Sequence, residues 1–270
     1  MPTRAFDVCE TRDKAQLREL LTGDPVAAAY LLGDLVEPFF GHCRWLVAGY
    51  RGRLEGAVLL YTGLSVPALL TYGAPDAVEA TLAHFAHEIP HACYAKIPLE
   101  HADVFSPYYR FDHVERLWGM GLRTSELMRE GRQIDATQLS RSAPLDQVLS
   151  LYADYPGNYF EASQLETGLY YGSYAGGQLV SIAGTLVLAP AEKIAVLGNI
   201  VTAASARRSG YASACTSQLI EALAAMGCDT VALQVAADNA AAIACYRTLG
   251  FRFRCVALQM RCVRVESDGR

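Results

Sequence analysis

The sequence predicts an α+β protein in which one fold occurs twice. Each half of the chain has hairpin strands, then a helix, a strand, a helix and a strand, over comparable lengths. With 270 residues, of which 52% are hydrophobic and 19% charged, the chain can bury a large core and is too apolar to be disordered. No apolar run approaches the roughly 20 residues that cross a membrane. We therefore expect two globular domains.

The first half begins with helices and continues as strands around a hairpin. The tripeptide Arg51–Arg53 predicts the hairpin turn. Pro75 favours the first turn of a helix, and Pro90 ends that helix. The predicted helices are Lys14–Leu21, Pro25–Leu35 and Pro75–Glu88, and the predicted strands are Trp45–Tyr50, Gly56–Tyr61, Ala68–Tyr72, Ala92–Ile97 and Arg116–Leu122.

A polar joint at Glu130–Gly131 separates the halves, which gives predicted domains of residues 1–130 and 131–270. Ser142 is the predicted N-cap of the next helix, Ala175–Gly177 a hairpin turn, and Gly227 a left-handed helix end. The sequence identity between the halves is low, so the repeat is inferred from the order of elements. The predicted helices are Pro144–Tyr152, Tyr211–Met226 and Asn239–Leu249, and the predicted strands are Ile134–Leu139, Leu169–Tyr174, Leu179–Leu188, Ile194–Thr202, Thr230–Val235 and Arg252–Met260.

Charge and cysteine content favour a cytoplasmic protein that acts on small molecules. The net charge of −5 argues against nucleic acid as a partner. Residues 1–130 carry 12 basic and 17 acidic side chains, whereas residues 131–270 carry 11 of each, so the second half receives an anionic ligand more easily. The N-terminus shows no signal-peptide pattern and no lipidation motif. The eight cysteines form no C-x-x-C pair, so we predict buried thiols in a reducing cytosol.

A metal site is not expected. His84, His87 and His91 straddle Pro90, and no carboxylate or cysteine at a matching position completes a ligand set. The histidines are therefore interpreted as ordinary side chains of one helix and the loop that follows it.

The stretch from Arg207 to Ala212, Arg-Arg-Ser-Gly-Tyr-Ala, lies between a predicted strand and a predicted helix. The first turn of a helix leaves about four backbone N–H groups unpaired, and the helix dipole adds positive charge there. Gly210 and Ala212 let a ligand approach the backbone, while the two arginines add charge. These features predict an anion site, most naturally for a pyrophosphate. Taken alone, the hexapeptide also fits an ordinary strand-to-helix turn.

A second motif follows the predicted strand Thr230–Val235. Asn239 can cap the next helix, and Tyr246 lies two turns further along the same face. Gly250 ends that helix in the left-handed conformation, and Phe251 returns to the core. The hydroxyl of Tyr246 can therefore point at a ligand between the strands; a buried core tyrosine is the alternative.

Together, these motifs resemble the GNAT superfamily of acyl-CoA-dependent N-acyltransferases. Its motif A, Q/R-x-x-G-x-G/A, is present as Arg207-x-x-Gly210-x-Ala212, although the proline that normally precedes it is replaced by Ala204. Its motif D-N-x-x-A-x-x-x-Y-x-x-x-G-F is matched at every fixed position of 238–251. The resemblance covers residues 135–262. It implies a tandem protein of two GNAT-like domains, each a mixed, largely antiparallel central sheet flanked by helices, with a degenerate first copy and a complete, glycine N-acyltransferase-like second copy.

The resemblance also implies acetyl-CoA as co-substrate, no metal, and roles for individual residues. Tyr246 is implied as the general acid toward the leaving thiolate. The backbone of Ile200 and Thr202 would bind the pantetheine arm, and the N–H groups of 208–213 the pyrophosphate. The implied cofactor-binding residues are Ile200, Val201, Thr202, Arg207, Arg208, Ser209, Gly210, Tyr211, Ala212, Ser213 and Asn239.

The general base is where the chain departs from the family. Many members carry a glutamate at the position of Val196, and residues 131–270 contain no histidine. The base is therefore water, a loop carboxylate (Glu161 or Glu166), or a group of the first domain. The loop 152–163 stands where the family has its acceptor loop. Its acceptor-pocket candidates predict an acceptor with an apolar part, with plain packing as the alternative; they are Tyr155, Tyr159, Phe160 and Glu161.

The predicted function is transfer of an acetyl group from acetyl-CoA to the amine of a small molecule or amino acid. The alternative is a catalytically silent acyl-CoA-binding module for sensing or assembly, suggested by the missing glutamate. Transfer from aminoacyl-tRNA is disfavoured by the negative charge and the intact motif A. Asp76 and Glu79 would repel a pyrophosphate, so we expect the first domain to be a scaffold for the acceptor side that binds no CoA. The expected partner is a small-molecule amine, without nucleic acid or membrane, and a homodimer is allowed.

Overall fold

The structure is a computed structural model that describes residues 4–129, 134–139, 145–155, 160–167 and 169–265. The chain forms two compact units. Unit 1 contains the described residues up to Trp118 and from Cys255 onward, and unit 2 is Gly119–Arg254.

The described chain contains both strands and α-helices. The strands are β1 (Asp7–Thr11), β2 (Cys43–Tyr50), β3 (Arg53–Tyr61), β4 (Ala68–Gly73), β5 (Ala92–Pro98), β6 (Tyr109–Arg123), β7 (Thr137–Leu139), β8 (Tyr170–Ala175), β9 (Gln178–Ala189), β10 (Ile194–Thr202), β11 (Thr230–Ala236) and β12 (Arg252–Arg264). The α-helices are α1 (Lys14–Leu21), α2 (Ala29–Gly33), α3 (Pro75–His84), α4 (Ala102–Phe105), α5 (Leu145–Ala153), α6 (Gln164–Thr167), α7 (Tyr211–Ala225) and α8 (Ala240–Thr248).

Unit 1 contains a mixed sheet with the strand order β1-β2-β3-β4-β5-β12. β4 and β5 run parallel, and the other neighbouring strands run antiparallel. Leu69 of the sheet packs in one core with Leu82 of α3 and Phe105 of α4. β12 pairs through residues 257–263 with β5, so the C-terminal part of the chain completes the sheet of this unit.

Unit 2 contains the strand order β6-β11-β10-β9-β8-β7, to which β6 contributes residues 119–123. β10 and β11 run parallel, whereas β10, β9, β8 and β7 are antiparallel neighbours. Helix α5 packs on the sheet face that carries Tyr170 and Ile182. Helix α7 packs on the opposite face, where Cys215 Sγ lies 3.1 Å from Ser173 Oγ. The predicted α+β class, a mixed sheet flanked by helices, is confirmed.

Most predicted elements lie within a few residues of their predicted bounds, and the differences have local causes. The predicted helix Pro25–Leu35 is wrong in its first part. There residues 25–28 form turns, in which the carboxylate of Asp24 accepts the N–H of Ala27 at 3.2 Å, and α2 extends only from Ala29 to Gly33. The predicted helix Pro75–Glu88 is also too long, because α3 ends at His84.

The sequence does not predict β1, α4 and α6, because each is too short to show a period. The predicted turns are confirmed, since Gly52, Gly176 and Gly227 all have positive φ angles. The predicted cap Ser142 and joint Glu130–Gly131 lie outside the described residues.

The two units divide the chain at other points than the predicted domains of residues 1–130 and 131–270. Residues 119–129 lie in unit 2, and the described residues from Cys255 onward lie in unit 1. The hydrogen bonds explain this division: Thr124 N–H donates to Asp229 O at 3.0 Å, and β12 pairs with β5. A strand shows no local sign of which sheet it joins, so these boundaries depend on long-range pairing.

Candidate active site

Two parallel strands of unit 2 separate at one end. β10 and β11 are paired from Ile194 to Leu197, opposite Thr230 to Leu233, and not beyond. The next part of β10 has a bulge between Gly198 and Val201, in which Asn199 has a φ angle of 51°. Because a bulge bends its strand, the two strands diverge and open a cavity of about 800 Å³.

The cavity brings the two sequence motifs together. Its described lining includes Tyr155, Tyr246 and all predicted cofactor residues except Ser209, whose hydroxyl donates instead to Arg207 O at 3.4 Å. The predicted residues in the lining are Ile200, Val201, Thr202, Arg207, Arg208, Gly210, Tyr211, Ala212, Ser213 and Asn239.

The turn before α7 is shaped for an anion. Arg208 and Gly210 have φ angles of 60° and 92°, and the second of these favours glycine. Helix α7 begins at Tyr211 without a side-chain cap and without an acidic residue in its first turn. Arg207 Nε donates to Thr202 O at 3.3 Å, which ties the turn to the end of β10. Uncapped N–H groups beside two exposed arginines form a positive site that matches a phosphate-type anion.

Tyr246 reaches the cavity from α8. Asn239 caps this helix as predicted, because its Oδ1 accepts the N–H of Ala242 at 3.1 Å. The Tyr246 ring lies edge-on to Phe251 at a centroid distance of 5.9 Å, and the residue is only 8% exposed. Burial, with a smaller contribution from Cys245, raises the pKa of Tyr246. The hydroxyl therefore keeps its proton at neutral pH.

No acidic side chain lines the cavity within the described part of unit 2. Val196, where the resemblance implies a glutamate, is completely buried. Glu161 and Glu166 are exposed and lie outside the lining. Of the predicted acceptor residues, Tyr155 lines the cavity, whereas Tyr159 lies outside the described residues.

A polar network beneath the bulge has no signature in the sequence. The side-chain amide of Asn199 donates to Gln164 Oε1 at 3.0 Å and to the hydroxyl of Tyr170 at 2.9 Å. The hydroxyl of Tyr152 donates to Asn199 O at 2.6 Å. Phe160, a predicted acceptor residue, stacks on Tyr152 with ring centroids 4.4 Å apart. These residues come from separate segments and meet only in the folded chain.

Gln234 is a second polar residue that the sequence does not single out. Strand alternation places it on the same sheet face as Ala232, whose partner across the strand pair is Val196. Its Oε1 is buried and has no hydrogen-bond partner. A buried acceptor without a partner costs about 1–3 kcal/mol.

The described residues contain no group of three or more His, Cys, Asp or Glu side chains arranged to hold a metal ion. None of the described helices is long and apolar enough to span a bilayer. None of the eight cysteines forms a disulfide, and Cys9 is exposed rather than buried as predicted.

Two parallel strands that separate at one end, connected by a helix with an uncapped, basic start, define a domain suited to a phosphate-bearing ligand. Residues 136–251, all within unit 2, match the acetyltransferase (GNAT) family. The matched range includes both the turn Arg207–Ala212 and the motif at 238–251. No curated protein matches the sequence.

Solved structures share the fold over nearly the whole chain. A Drosophila protein is 12% identical with a TM-score of 0.69, over 96% of this chain and 99% of that one. A GCN5-related N-acetyltransferase from Kribbella flavida is 18% identical with a TM-score of 0.60, over 90% and 95%. A tandem GNAT protein from the clavulanic acid biosynthesis pathway is 14% identical with a TM-score of 0.58, over 98% and 100%. At these identities the likeness shows the fold, with two domains in tandem.

Proposed function

We propose that the protein is an acyl-CoA-dependent N-acetyltransferase, which moves the acetyl group of acetyl-CoA to a primary amine of a small molecule or amino acid by direct attack. The observation that carries this proposal is the cavity of unit 2, where an open strand edge, an uncapped basic helix start and a buried tyrosine meet. The family match of residues 136–251 supports it.

The residues of the cavity fit acetyl-CoA. The edge from Ile200 to Thr202 lines the cavity beyond the last pair with β11, so its backbone can bind the pantetheine amides as a neighbouring strand would. The N–H groups from Arg208 to Ser213, with the nearby guanidinium groups, suit the pyrophosphate. Asn239 contacts the cofactor from the start of α8. Acetyl-CoA supplies the thioester from which the acetyl group is taken.

Tyr246 acts as the general acid. Its hydroxyl gives a proton to the sulfur of CoA as the carbon–sulfur bond breaks, so that CoA leaves as a thiol. The amine nitrogen forms the new bond to the acetyl carbon and releases a proton to water, from which Tyr246 is reprotonated. The raised pKa of Tyr246 keeps the phenol protonated between turnovers.

The amine reacts in its neutral form. Within the described lining there is neither a carboxylate nor an imidazole to accept its proton, so water takes that role. The neutral fraction of an amine increases about tenfold per pH unit below its own pKa. We therefore expect kcat/KM to increase with pH and to level off at the pKa of the amine rather than at that of a protein side chain.

Thiol release from acetyl-CoA, measured over a library of primary amines, tests the enzyme proposal. Tyr246→Phe keeps the ring and removes the proton, so we expect kcat to fall at least about a hundredfold. The Kd of acetyl-CoA should stay within about twofold of the wild-type value. An unchanged kcat would contradict the role of Tyr246.

The second candidate function is a silent acyl-CoA-binding module for sensing or assembly. The observation that favours it is the absence of an acidic side chain from the described cavity lining. Binding of acetyl-CoA by calorimetry, without thiol release for any amine in the library, would support this module and contradict the enzyme.

The proposal extends to the rest of the chain. Unit 1 does no chemistry and binds no CoA. The partner is a small-molecule amine rather than nucleic acid or a membrane, and the protein acts in the cytoplasm, where acetyl-CoA is available. The glycine N-acyltransferase-like character of the second domain, and a homodimer, are part of the same proposal.

A further inference from the structure

The bulge of β10 determines where the cavity-lining edge begins. Gly198 pairs with Gly184 and Val201 with Ile182, so two residues of β10 lie opposite one residue of β9. The first of the two is Asn199, in the left-handed region at φ 51°, and the next residue, Ile200, already lines the cavity. The conformation of Asn199 therefore sets the direction of the edge that faces the cofactor.

Side chains from three other segments hold Asn199 in place. Tyr152 of α5 donates its hydroxyl hydrogen to the backbone oxygen of Asn199 at 2.6 Å. The two amide hydrogens of Asn199 go to Gln164 and Tyr170, and the Tyr170 hydroxyl in turn donates to Gln164 Oε1 at 3.2 Å. Asn199, Gln164 and Tyr170 thus form a closed ring of hydrogen bonds. Tyr170 fits there because residue 184 is a glycine, since a Cβ at this position would clash with the tyrosine ring.

Gln164 connects this ring to the segment 160–167. Its Oε1 also accepts the backbone N–H of Glu161 at 3.1 Å. Phe160 stacks on Tyr152 at 4.4 Å and meets Tyr170 edge-on at 5.8 Å. The side chains of Gln164 and Phe160 thus contact Asn199 and its two tyrosine neighbours, and Leu165 is buried in the core. The segment is therefore held to β10 through the bulge.

We propose that Asn199 is a positioning residue that joins the segment 160–167 to the edge from Ile200 to Thr202, so that acyl-CoA on one side and the amine acceptor on the other favour each other's binding. This inference rests on the proposed function and on the expectation that Phe160 and Glu161 belong to the acceptor site. Acyl-CoA and the amine each stabilise the arrangement in which the segment 160–167 is hydrogen-bonded to Asn199. Such couplings are reciprocal, and each ligand typically changes the affinity for the other about 5–150-fold.

Variants of Asn199 and Gln164 can remove the donors or the acceptors of the hydrogen-bonded ring separately. Asn199→Gly keeps the positive φ but removes both donors, and Asn199→Asp keeps the shape but turns donors into acceptors. Gln164 Oε1 only accepts in the ring, so Gln164→Glu preserves its contacts and Gln164→Leu removes them. We expect Gln164→Glu to behave as the wild type. We expect the other three variants to lose the coupling between acyl-CoA binding and acceptor binding.

Hydrogen exchange in the full-length protein tests the coupling without turnover. In the wild type, saturating acetyl-CoA should slow exchange in peptide 160–167 at least about fivefold. In Asn199→Gly, Asn199→Asp and Gln164→Leu, that peptide should exchange faster in the free protein and should no longer respond to acetyl-CoA, while the Kd of acetyl-CoA stays within about threefold. An equal response in the wild type and in Asn199→Gly would overturn the proposal, and so would no response in the wild type.

Kinetics with 2-phenylethylamine, an acceptor probe with an apolar part, separate positioning from plain stability. We expect the three variants to raise the KM of this amine at least about tenfold with kcat within about threefold, and Gln164→Glu to retain the wild-type KM. Losses of kcat and Tm in parallel, with an unchanged KM, would show a structural role only and overturn the proposal. Absence of thiol release by the wild type with every amine of the library, with the exchange response intact, would instead contradict the proposed enzyme and leave the coupling supported.

Discussion

Each unit contains two parallel strands that are connected by a helix, and neither of the two helices has a side-chain cap, but the helix starts differ in charge and in the residues before them. In unit 2, residues 203–210 separate β10 from α7, which begins without a side-chain cap. In unit 1, β4 passes through Ala74 directly to α3, which has Pro75 in its first turn. The carboxylate of Asp76 also accepts the N–H of Ala77 at 3.0 Å. This helix start offers negative charge and one N–H fewer, as the sequence predicts.

The strand edges differ as well. β4 and β5 are paired from Ala68 to Leu70, and the following part of β4 bonds a completely buried histidine, His101. The ring lies 2.7 Å from Thr71 Oγ1 and 2.9 Å from Gly73 O. Because a carbonyl oxygen only accepts, Nε2 carries the proton. In unit 2 the corresponding part of β10 faces a cavity instead. The comparison teaches that topology alone does not make a cofactor site, since the strand edge must also be left unoccupied.

The largest expected effect comes from cutting the chain at the predicted rather than the observed boundary. A fragment of residues 131–270 lacks β5, the partner of β12, and it lacks Thr124 and Met128, whose N–H groups donate to Asp229 O and Leu249 O. We expect it to be insoluble. The matched fragment 119–254 keeps the hydrogen bonds of Thr124 and Met128 within unit 2, and we expect it to be soluble and to bind acetyl-CoA. If both fragments had the same soluble yield and the same acetyl-CoA affinity by calorimetry, the compact units would not be folding units.

His101→Ala tests the filled cleft of unit 1. The variant creates a cavity and leaves Thr71 and Gly73 without their partner, so we expect unfolding of this unit to become easier by about 2–4 kcal/mol. Acetyl-CoA affinity should not change, because the proposed cofactor site lies in unit 2. Hydrogen exchange in β4 and calorimetry measure the two effects, with exposed His87→Ala as the control. A second acetyl-CoA bound per chain, in the wild type or in His101→Ala, would contradict the expectation that unit 1 binds no CoA.

The same histidine gives unit 1 a pH dependence. Burial lowers the pKa of His101 below its usual 6.5, so the folded unit resists a proton that the unfolded chain accepts. Stability is therefore full above about pH 6.5 and decreases as the pH falls through the range between the unfolded and folded pKa values. Exchange in β4, followed across this range, should show the dependence in the wild type and a weaker one in His101→Ala.

Gly210→Glu tests the open helix start of unit 2. It places a carboxylate where the pyrophosphate would bind, so we expect acetyl-CoA affinity to fall at least tenfold, or about 1.4 kcal/mol. Gly210→Ala is the matched control, because it has the same strain at φ 92° without the charge. Calorimetry on both variants separates strain from repulsion. Unchanged affinity in Gly210→Glu would remove the anion site from this turn.

Local patterns in the sequence were sufficient for the elements that surround the site. The helix starts and ends at Pro75, Asn239, Gly227 and Gly250 follow from backbone preferences of single residues, which act wherever the residue is placed. The Arg207–Ala212 turn and the Asn239–Tyr246 helix are paired as one site by the resemblance of their residues to the motifs of one family. The folded chain places both in one cavity.

Only the tertiary structure decided which strands belong together and what fills each cleft. β12 joins β5, His101 takes the strand edge of unit 1, and Asn199 meets Tyr152 and Gln164. Each of these contacts links residues far apart in the chain, and neither partner shows a local preference that identifies the other. Such contacts depend on how whole elements pack, and this is why the same order of strands and helices gives a filled cleft in one unit and a cavity in the other.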